Sequence, residues 1–232
     1  MPAGSSNDFL ITAMQTYLIT GANRGIGLEL CRQLVARGDE VLATCRKMSP
    51  ELAALDVTTF EGVDVGDDAS MEKFRLEVDG MDMDVIINNA GVMHADSLES
   101  VDMDQVRTQL EVNTLGPLRV ATKLRENLDH GGKFIIITSL MGSMADNGSG
   151  GYYGYRLSKA GVNAVGVSLA RDLAQSGFAV GMLHPGMVAT DMTGGRGISV
   201  EESVQGLLAR IGELTVENTG SFRHQSGADL GW

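Results

Sequence analysis

Short apolar runs alternate along this chain with apolar stripes of helical period. Thr16-Tyr17-Leu18-Ile19-Thr20 is a compact run ending at Gly21, the pattern of a buried strand. Beyond it Gly27, Leu30, Cys31, Leu34 and Val35 recur at i, i+3, i+4, i+7 and i+8, the apolar face of an amphipathic helix that Gly38 ends. The same reading predicts strands over residues 40–44, 60–65, 84–87, 133–138 and 178–183. It predicts helices over 69–78, 101–128, 155–175 and 201–214, with Gly116-Pro117 bending or breaking the long one at 101–128.

Strand and helix alternate from end to end, which implies βαβ units. Right-handed crossovers then give an α/β, doubly wound, mostly parallel sheet with helices on both faces, a Rossmann-like fold. The 232 residues suit a single domain. Residues 14–232 are expected to form it, with residues 1–13 a frayed leader or an expression remnant. Residues 194–197 read as a mobile glycine-rich loop, not a linker.

Composition narrows the function classes. Glycine is high, 30 of 232 residues, and comes in clusters without a period of three, so it marks tight loops rather than collagen. The 18 Lys+Arg against 30 Asp+Glu leave a formal charge of −12. With no basic run, nucleic acid and anionic membrane surfaces are poor partners. Cys31 and Cys45 stand apart from any Cys/His cluster and read as small buried hydrophobes, with no metal expected. No stretch approaches the ~18 apolar residues of a membrane helix, and the first basic residue is Arg24, so the expected location is cytoplasmic.

Chemistry enters at the first strand's exit. In Thr20-Gly21-Ala22-Asn23-Arg24-Gly25-Ile26-Gly27, glycines allow a tight turn and the close approach of a pyrophosphate. The following helix N-terminus offers that anion free N–H groups and a positive dipole end. A carboxylate at the end of the second strand would suit a free ribose 2′-OH. This strand instead ends Thr44-Cys45-Arg46-Lys47, and Arg46 with Arg24 could clamp a 2′-phosphate. The expected cofactor is therefore NADP in preference to NAD.

Tyr155 and Lys159 lie four apart on a predicted helix and share a face. An ammonium one turn from a phenol stabilises the phenolate in a site that excludes water. Tyr152 and Arg156 have the same spacing, but arginine does not relay a proton at usable pH. A serine to polarise a carbonyl is expected at the end of the fifth strand, where Ser139 follows Ile135-Ile136-Ile137-Thr138; Ser143 is its rival.

Together these residues resemble the compact short-chain dehydrogenase/reductase family. Thr20 to Gly27 fits TGxxxGxG, Asn88 to Gly91 is NNAG, and Val112-Asn113 falls in the expected helix. Ser139 and Gly142 form S-x-x-G, Tyr155 to Lys159 is YxxxK, and Pro185-Gly186 leads to Thr190 in PGMVAT. GGYYGYRLSKAGVNA, LHPGMVATDM and GSFRHQSGADLGW are similar to the C-factor-like and sniffer-like carbonyl reductase branch. The resemblance selects Ser139 over Ser143. One departure is a loop insertion at residues 146–150.

The resemblance implies that Tyr155 is the general acid in reduction and that Lys159 lowers its pKa and binds the nicotinamide ribose. It implies that Ser139 orients the carbonyl oxygen and Asn113 holds a water linking Lys159 to solvent. Cofactor contacts are implied for Gly21, Asn23, Arg24, Gly25, Ile26, Arg46, Asp64, Val65, Asn89, Ala90, Gly91, Val112, Pro185, Gly186, Val188 and Thr190.

Met93, Leu140, Met141, Met144, Met187 and Met192 neighbour the motif ends and are the expected substrate pocket. Flexible methionines suit a permissive apolar site for a ketone, aldehyde or quinone. The alternative function is an NADP-binding signalling or scaffold protein of the C-factor type. An intact Ser139, Tyr155, Lys159 and Asn113 set favours the enzyme. A homodimer, a homotetramer and a monomer all remain open on the sequence.

Overall fold

A computed structural model describes residues 14–232; the expected leader at 1–13 lies outside the described residues. Seven strands form one parallel sheet in the order β3-β2-β1-β4-β5-β6-β7. They are β1 Thr16–Thr20, β2 Glu40–Cys45, β3 Thr58–Glu61, β4 Met83–Asn88, β5 Leu128–Ile137, β6 Ala179–His184 and β7 Ser221–His224. Every ladder between neighbours is parallel. The doubly wound expectation holds, and the order reverses direction between β1 and β4, the point at which such sheets open a crevice.

The central strands are apolar on both faces, so alternate residues feed two cores. Tyr17, Ile19, Ile135 and Ile137 pack with α1 (Gly25–Arg37) and α7 (Val200–Glu213) on one side. Leu18, Ile86, Phe134 and Ile136 pack on the other with α3 (Asp68–Glu77), α5 (Gly116–Leu124) and α6 (Tyr153–Ala174). Phe134 is fully buried mid-strand between Ile86 and Val180. Phe134→Ala should lower unfolding free energy in urea by ~3–5 kcal/mol, through lost transfer energy and the cavity left behind.

Local chemistry sets the helix ends. Asp67 caps α3 through Ser70 N–H at 2.7 Å, and Ser199 caps α7 through Glu202 N–H at 3.0 Å. Gly38 closes α1 at φ 88°, a conformation costly for residues with a Cβ.

Four expectations need adjustment. The strand expected at 60–65 runs Thr58–Glu61, because Gly62 at φ 84° turns the chain. A short helix, α2 (Pro50–Ala53), was not anticipated. Neither was β7, in which Phe222 is the one buried side chain. The long helix expected at 101–128 is α4 (Met103–Leu110), a π-helical turn Glu111–Leu115, then α5 and a short 3-10 turn, after which β5 begins at Leu128. Pro117 explains the break. It has no N–H to return to the Asn113 carbonyl four residues back, so the helix widens before it.

Candidate active site

A cleft of about 500 Å³ runs along the carboxyl ends of β1, β2, β4 and β5. Its floor is the glycine turn. Thr20 Oγ1 accepts from Asn89 N–H and Ala90 N–H at 3.1 Å each, and Asn89 Nδ2 donates to the Thr20 and Gly21 carbonyls at 3.0 and 3.1 Å. These bonds fasten the NNAG segment to the turn. Gly21, at φ 68°, could not carry a side chain, since a Cβ would stand 2.8 Å from Ala90 Cα. The N-terminus of α1 above it has no side-chain cap, leaving its N–H groups for an anion.

One end of the cleft is cationic. Arg24, Arg46 and Lys47 line it. Arg24 pairs with Asp191 at 3.3 Å and Arg46 loosely with Asp64 at 3.9 Å; Arg24, Asp191 and Arg46 are well exposed and Asp64 is half-buried. Exposed pairs of this kind are worth little and surrender readily to a phosphate. Asn23 Nδ2 donates to the Lys47 carbonyl at 3.0 Å, holding that strand end against the glycine turn.

Tyr155 and Lys159 lie at the other end. Lys159 Nζ stands 5.8 Å from the Tyr155 ring centroid and donates to the Ile137 carbonyl at 2.9 Å. Burial, with no charged partner, lowers the lysine to about 8. Burial also pushes the Tyr155 phenol up to about 12, with the Ser139 hydroxyl pulling it down. The expected lowering of the phenol by Lys159 does not act here: desolvation dominates, opposed only by the Ser139 hydroxyl, and the phenol is held protonated.

Ser139 begins a 3-10 turn, Leu140–Gly142, and its Oγ accepts from Met141 N–H at 3.1 Å. That bond uses a lone pair and leaves the hydroxyl proton to donate. The turn passes tightly over α6, where a Cβ on Gly142 would meet the Lys159 carbonyl at 2.8 Å. Ser143 Oγ instead accepts from Asp146 N–H at 3.2 Å and closes the inserted loop.

Asn113 is buried in the π-helical turn. Its Oδ1 accepts from Val92 N–H at 2.8 Å, and its Nδ2 donates to the Val92 carbonyl at 2.8 Å and to Ser158 Oγ at 3.0 Å. The side chain therefore ties the NNAG loop to α6. Gly91 lies beside both groups, as a Cβ there would sit 3.3 Å from Asn113 Oδ1 and 3.9 Å from Lys159 Nζ.

The cleft brings together Gly21, Asn23, Arg24, Gly25, Ile26, Arg46, Asp64, Val65, Asn89, Ala90, Gly91, Val112, Tyr155, Lys159, Pro185 and Thr190. Gly186 and Val188 stand behind its wall: Gly186 turns against His224, and Val188 is buried and bridged to Ile198. Of the expected substrate residues only Met192 lines the cleft. Met144 and Met187 are exposed, and Met93, Leu140 and Met141 are half-buried beyond it. Sequence reasoning missed Thr44, Cys45, Ile137 and Thr138, although their places at strand ends would have identified them. It also missed Lys47, beside Arg46, and Asp191, which no local pattern marks. Among the described residues no cluster of three or more His, Cys, Asp or Glu could hold a metal ion, and no helix is long and apolar enough to cross a membrane.

Ser139 and Asn113 stand just outside the cleft lining, Ser139 with its hydroxyl on the Tyr155 phenol. A parallel sheet whose crevice holds a phosphate-type glycine turn and a Tyr and Lys pair, with a serine beside the phenol, defines a nucleotide-dependent oxidoreductase fold. Residues 15–199 match the family model for short chain dehydrogenases, and the chain belongs to that family. It is 44% identical over 226 residues to the 1-hydroxy-2-glutathionyl-2-methyl-3-butene dehydrogenase of Rhodococcus sp. strain AD45, covering 94% of this chain and all of that one. It is 39% identical over 166 residues to the C-signal protein of Myxococcus xanthus, covering 70% of this chain and all of the relative. Among solved structures it is similar to an NADPH-bound carbonyl reductase from chicken fatty liver, with a TM-score of 0.86, 27% identity, and 94% and 99% of the two chains covered.

Proposed function

We propose that this chain is an NADP-dependent carbonyl reductase that converts an apolar ketone, aldehyde or quinone to its alcohol and runs the same steps backwards. The observation that carries the reading is the placing of Tyr155 and Lys159 in the lining of a cleft that also holds Arg24, Arg46 and the glycine turn, with the Ser139 hydroxyl acting on the Tyr155 phenol from just beyond that lining. The donor set fits the cofactor. Free N–H groups at the start of α1 suit a pyrophosphate, the two arginines suit a 2′-phosphate, and buried Lys159 suits ribose hydroxyls. When bound, NADPH supplies the hydride.

The remaining work falls to the chain. Ser139 donates its free hydroxyl proton to the substrate carbonyl oxygen, holding it where negative charge grows. Tyr155 delivers its proton to the same oxygen. Two preorganised donors aimed at one oxygen stabilise the transition state more than the ground state. Lys159, buried beside the ring, provides the nearest positive charge for the phenolate left behind. Asn113, in the π-helical turn, is the residue through which a water would reconnect Lys159 to solvent.

The 44% identical relative is named as a dehydrogenase of a glutathionyl alcohol, so such an alcohol with NADP+ joins the test panel as the oxidative arm. The assay is the absorbance change of NADPH, and separately of NADH, over apolar ketones, aldehydes and quinones. Tyr155-dependent turnover supports the reductase. Tight NADPH binding with no turnover would favour a signalling or scaffold role like that named for the C-signal relative. Replacing Arg46 with Ala should cut the NADPH-over-NADH ratio of kcat/KM by about ten- to a hundredfold, the loss of one charge-assisted bond of ~1.5–3 kcal/mol. An unchanged ratio would remove Arg46 from 2′-phosphate recognition.

A further inference from the structure

The start of α6 is held from far away in sequence. Its N-cap residue, Tyr152, offers no side-chain cap and sits at φ 53°, ψ 42°. Among the described residues it is the one non-glycine with positive φ. That conformation persists only where neighbours over-determine it. The neighbour is Asp96, in the loop that leaves β4 through Asn89-Ala90-Gly91. Its carbonyl accepts from Tyr152 N–H at 2.9 Å. Its carboxylate spans the next two amides, Oδ1 taking Tyr153 N–H at 2.5 Å and Oδ2 taking Gly154 N–H at 3.1 Å. Three successive donors at the mouth of a 22-residue helix thus end on one residue. A carboxylate there also complements the positive end of the helix dipole.

Tyr155 is the residue immediately after this clamp. Anything that lets the first turn of α6 fray or rotate moves the phenol relative to Ser139, which sits on a separate element. The loop bearing Asp96 is itself anchored twice, by Val92 to Asn113 and by His94 N–H to Gln109 Oε1 at 3.0 Å. Gly154 is pressed against the same glutamine, since a Cβ there would come within 2.4 Å of Gln109 Nε2. The clamp therefore transmits the position of the cofactor-side loop to the first turn of the catalytic helix.

We propose that Asp96 is a positioning residue for Tyr155, fixing the N-terminal turn of α6 and the strained Tyr152 so that the phenol meets the substrate oxygen beside Ser139. The proposal rests on the reductase reading above. It predicts a cost in turnover without a cost in cofactor binding, because Arg24, Arg46 and the glycine turn are held by bonds that do not involve Asp96.

The test compares wild type, Asp96→Ala and Asp96→Asn in the full chain by three measurements: kcat and KM with a carbonyl substrate, Kd for NADPH by fluorescence, and hydrogen exchange of the amides of residues 152–156. For Asp96→Ala the expected result is faster exchange confined to that turn, a kcat lower by about ten- to a hundredfold, and an NADPH Kd within about twofold of wild type. Asp96→Asn keeps one side-chain acceptor but turns its amide NH2 toward the other N–H, so it should recover part of the rate and fall between Asp96→Ala and wild type. Unchanged exchange, or faster exchange with full kcat, would overturn the proposal, as would a kcat loss matched by the loss of NADPH binding. A wild type inactive on every carbonyl would defeat the reductase reading alone, and the exchange measurement would still decide whether Asp96 fixes this turn.

Discussion

Tyr155→Phe should reduce kcat for carbonyl reduction by ~10²–10⁴-fold, the usual worth of a positioned proton donor. NADPH affinity should hardly move. The change removes one oxygen and keeps the ring, which is 8% exposed and packed beside Lys159. Burial holds the phenol up at about 12, so wild-type Tyr155 carries its proton throughout the neutral range. Reduction therefore starts with the donor loaded, and deprotonation of Tyr155 should not limit the reductive rate below pH 10. Ser139→Ala should cost less than Tyr155→Phe, because it removes a stabilising donor and leaves the proton source. Steady-state kinetics of both variants with NADPH checks the order. A Tyr155→Phe protein retaining most of its rate would take the phenol out of the chemistry.

The parts of the fold legible in sequence were those governed by local periodicity. Ile135 and Ile137 face one core and Phe134 and Ile136 the other, so β5 reads as a continuous apolar run, as a strand buried on both sides must. β7 carries no such signal. It is four residues long, buries Phe222 alone, and is a strand because β6 offers it an open edge. The site divides similarly. Tyr155 and Lys159 could be paired from helical spacing, whereas the strand end left Ser139 and Ser143 as rivals and only the family resemblance chose Ser139. Asp191 meets Arg24 across 167 positions, and Asp96 meets Gly154 across 58. No pattern along the chain encodes such meetings, which are products of tertiary closure. Of the expected pocket methionines Met192 lines the cleft and the others stand beyond it, because a place beside a motif end fixes where the backbone passes, not where the side chain points.

Lys159→Met should yield a protein that is more stable without cofactor and nearly inactive. The ammonium is buried, with one carbonyl acceptor, Ile137 O, and burial alone lowers its pKa from 10.5 to about 8. The folded state thus holds this proton less tightly than the unfolded chain. Below pH 8 both states are protonated and the folded state bears the full penalty, about 3 kcal/mol for a shift of this size. Between pH 8 and 10.5 the unfolded chain binds more protons, so the wild-type protein should gain stability as pH rises through that window. Methionine removes the penalty and leaves the Ile137 carbonyl short of a donor, at a cost of about 1 kcal/mol or somewhat more. The net gain near pH 7 should be about 1–2 kcal/mol, read as a higher Tm, and it should vanish toward pH 10. Turnover should fall by ~10²–10⁴-fold, because the phenolate formed at Tyr155 loses its nearest cation. A lysine kept for packing would give the opposite result, a less stable variant with residual activity. A more stable and inactive Lys159→Met would mean that the folded chain bears a buried charge for the reaction and gains nothing from it in stability.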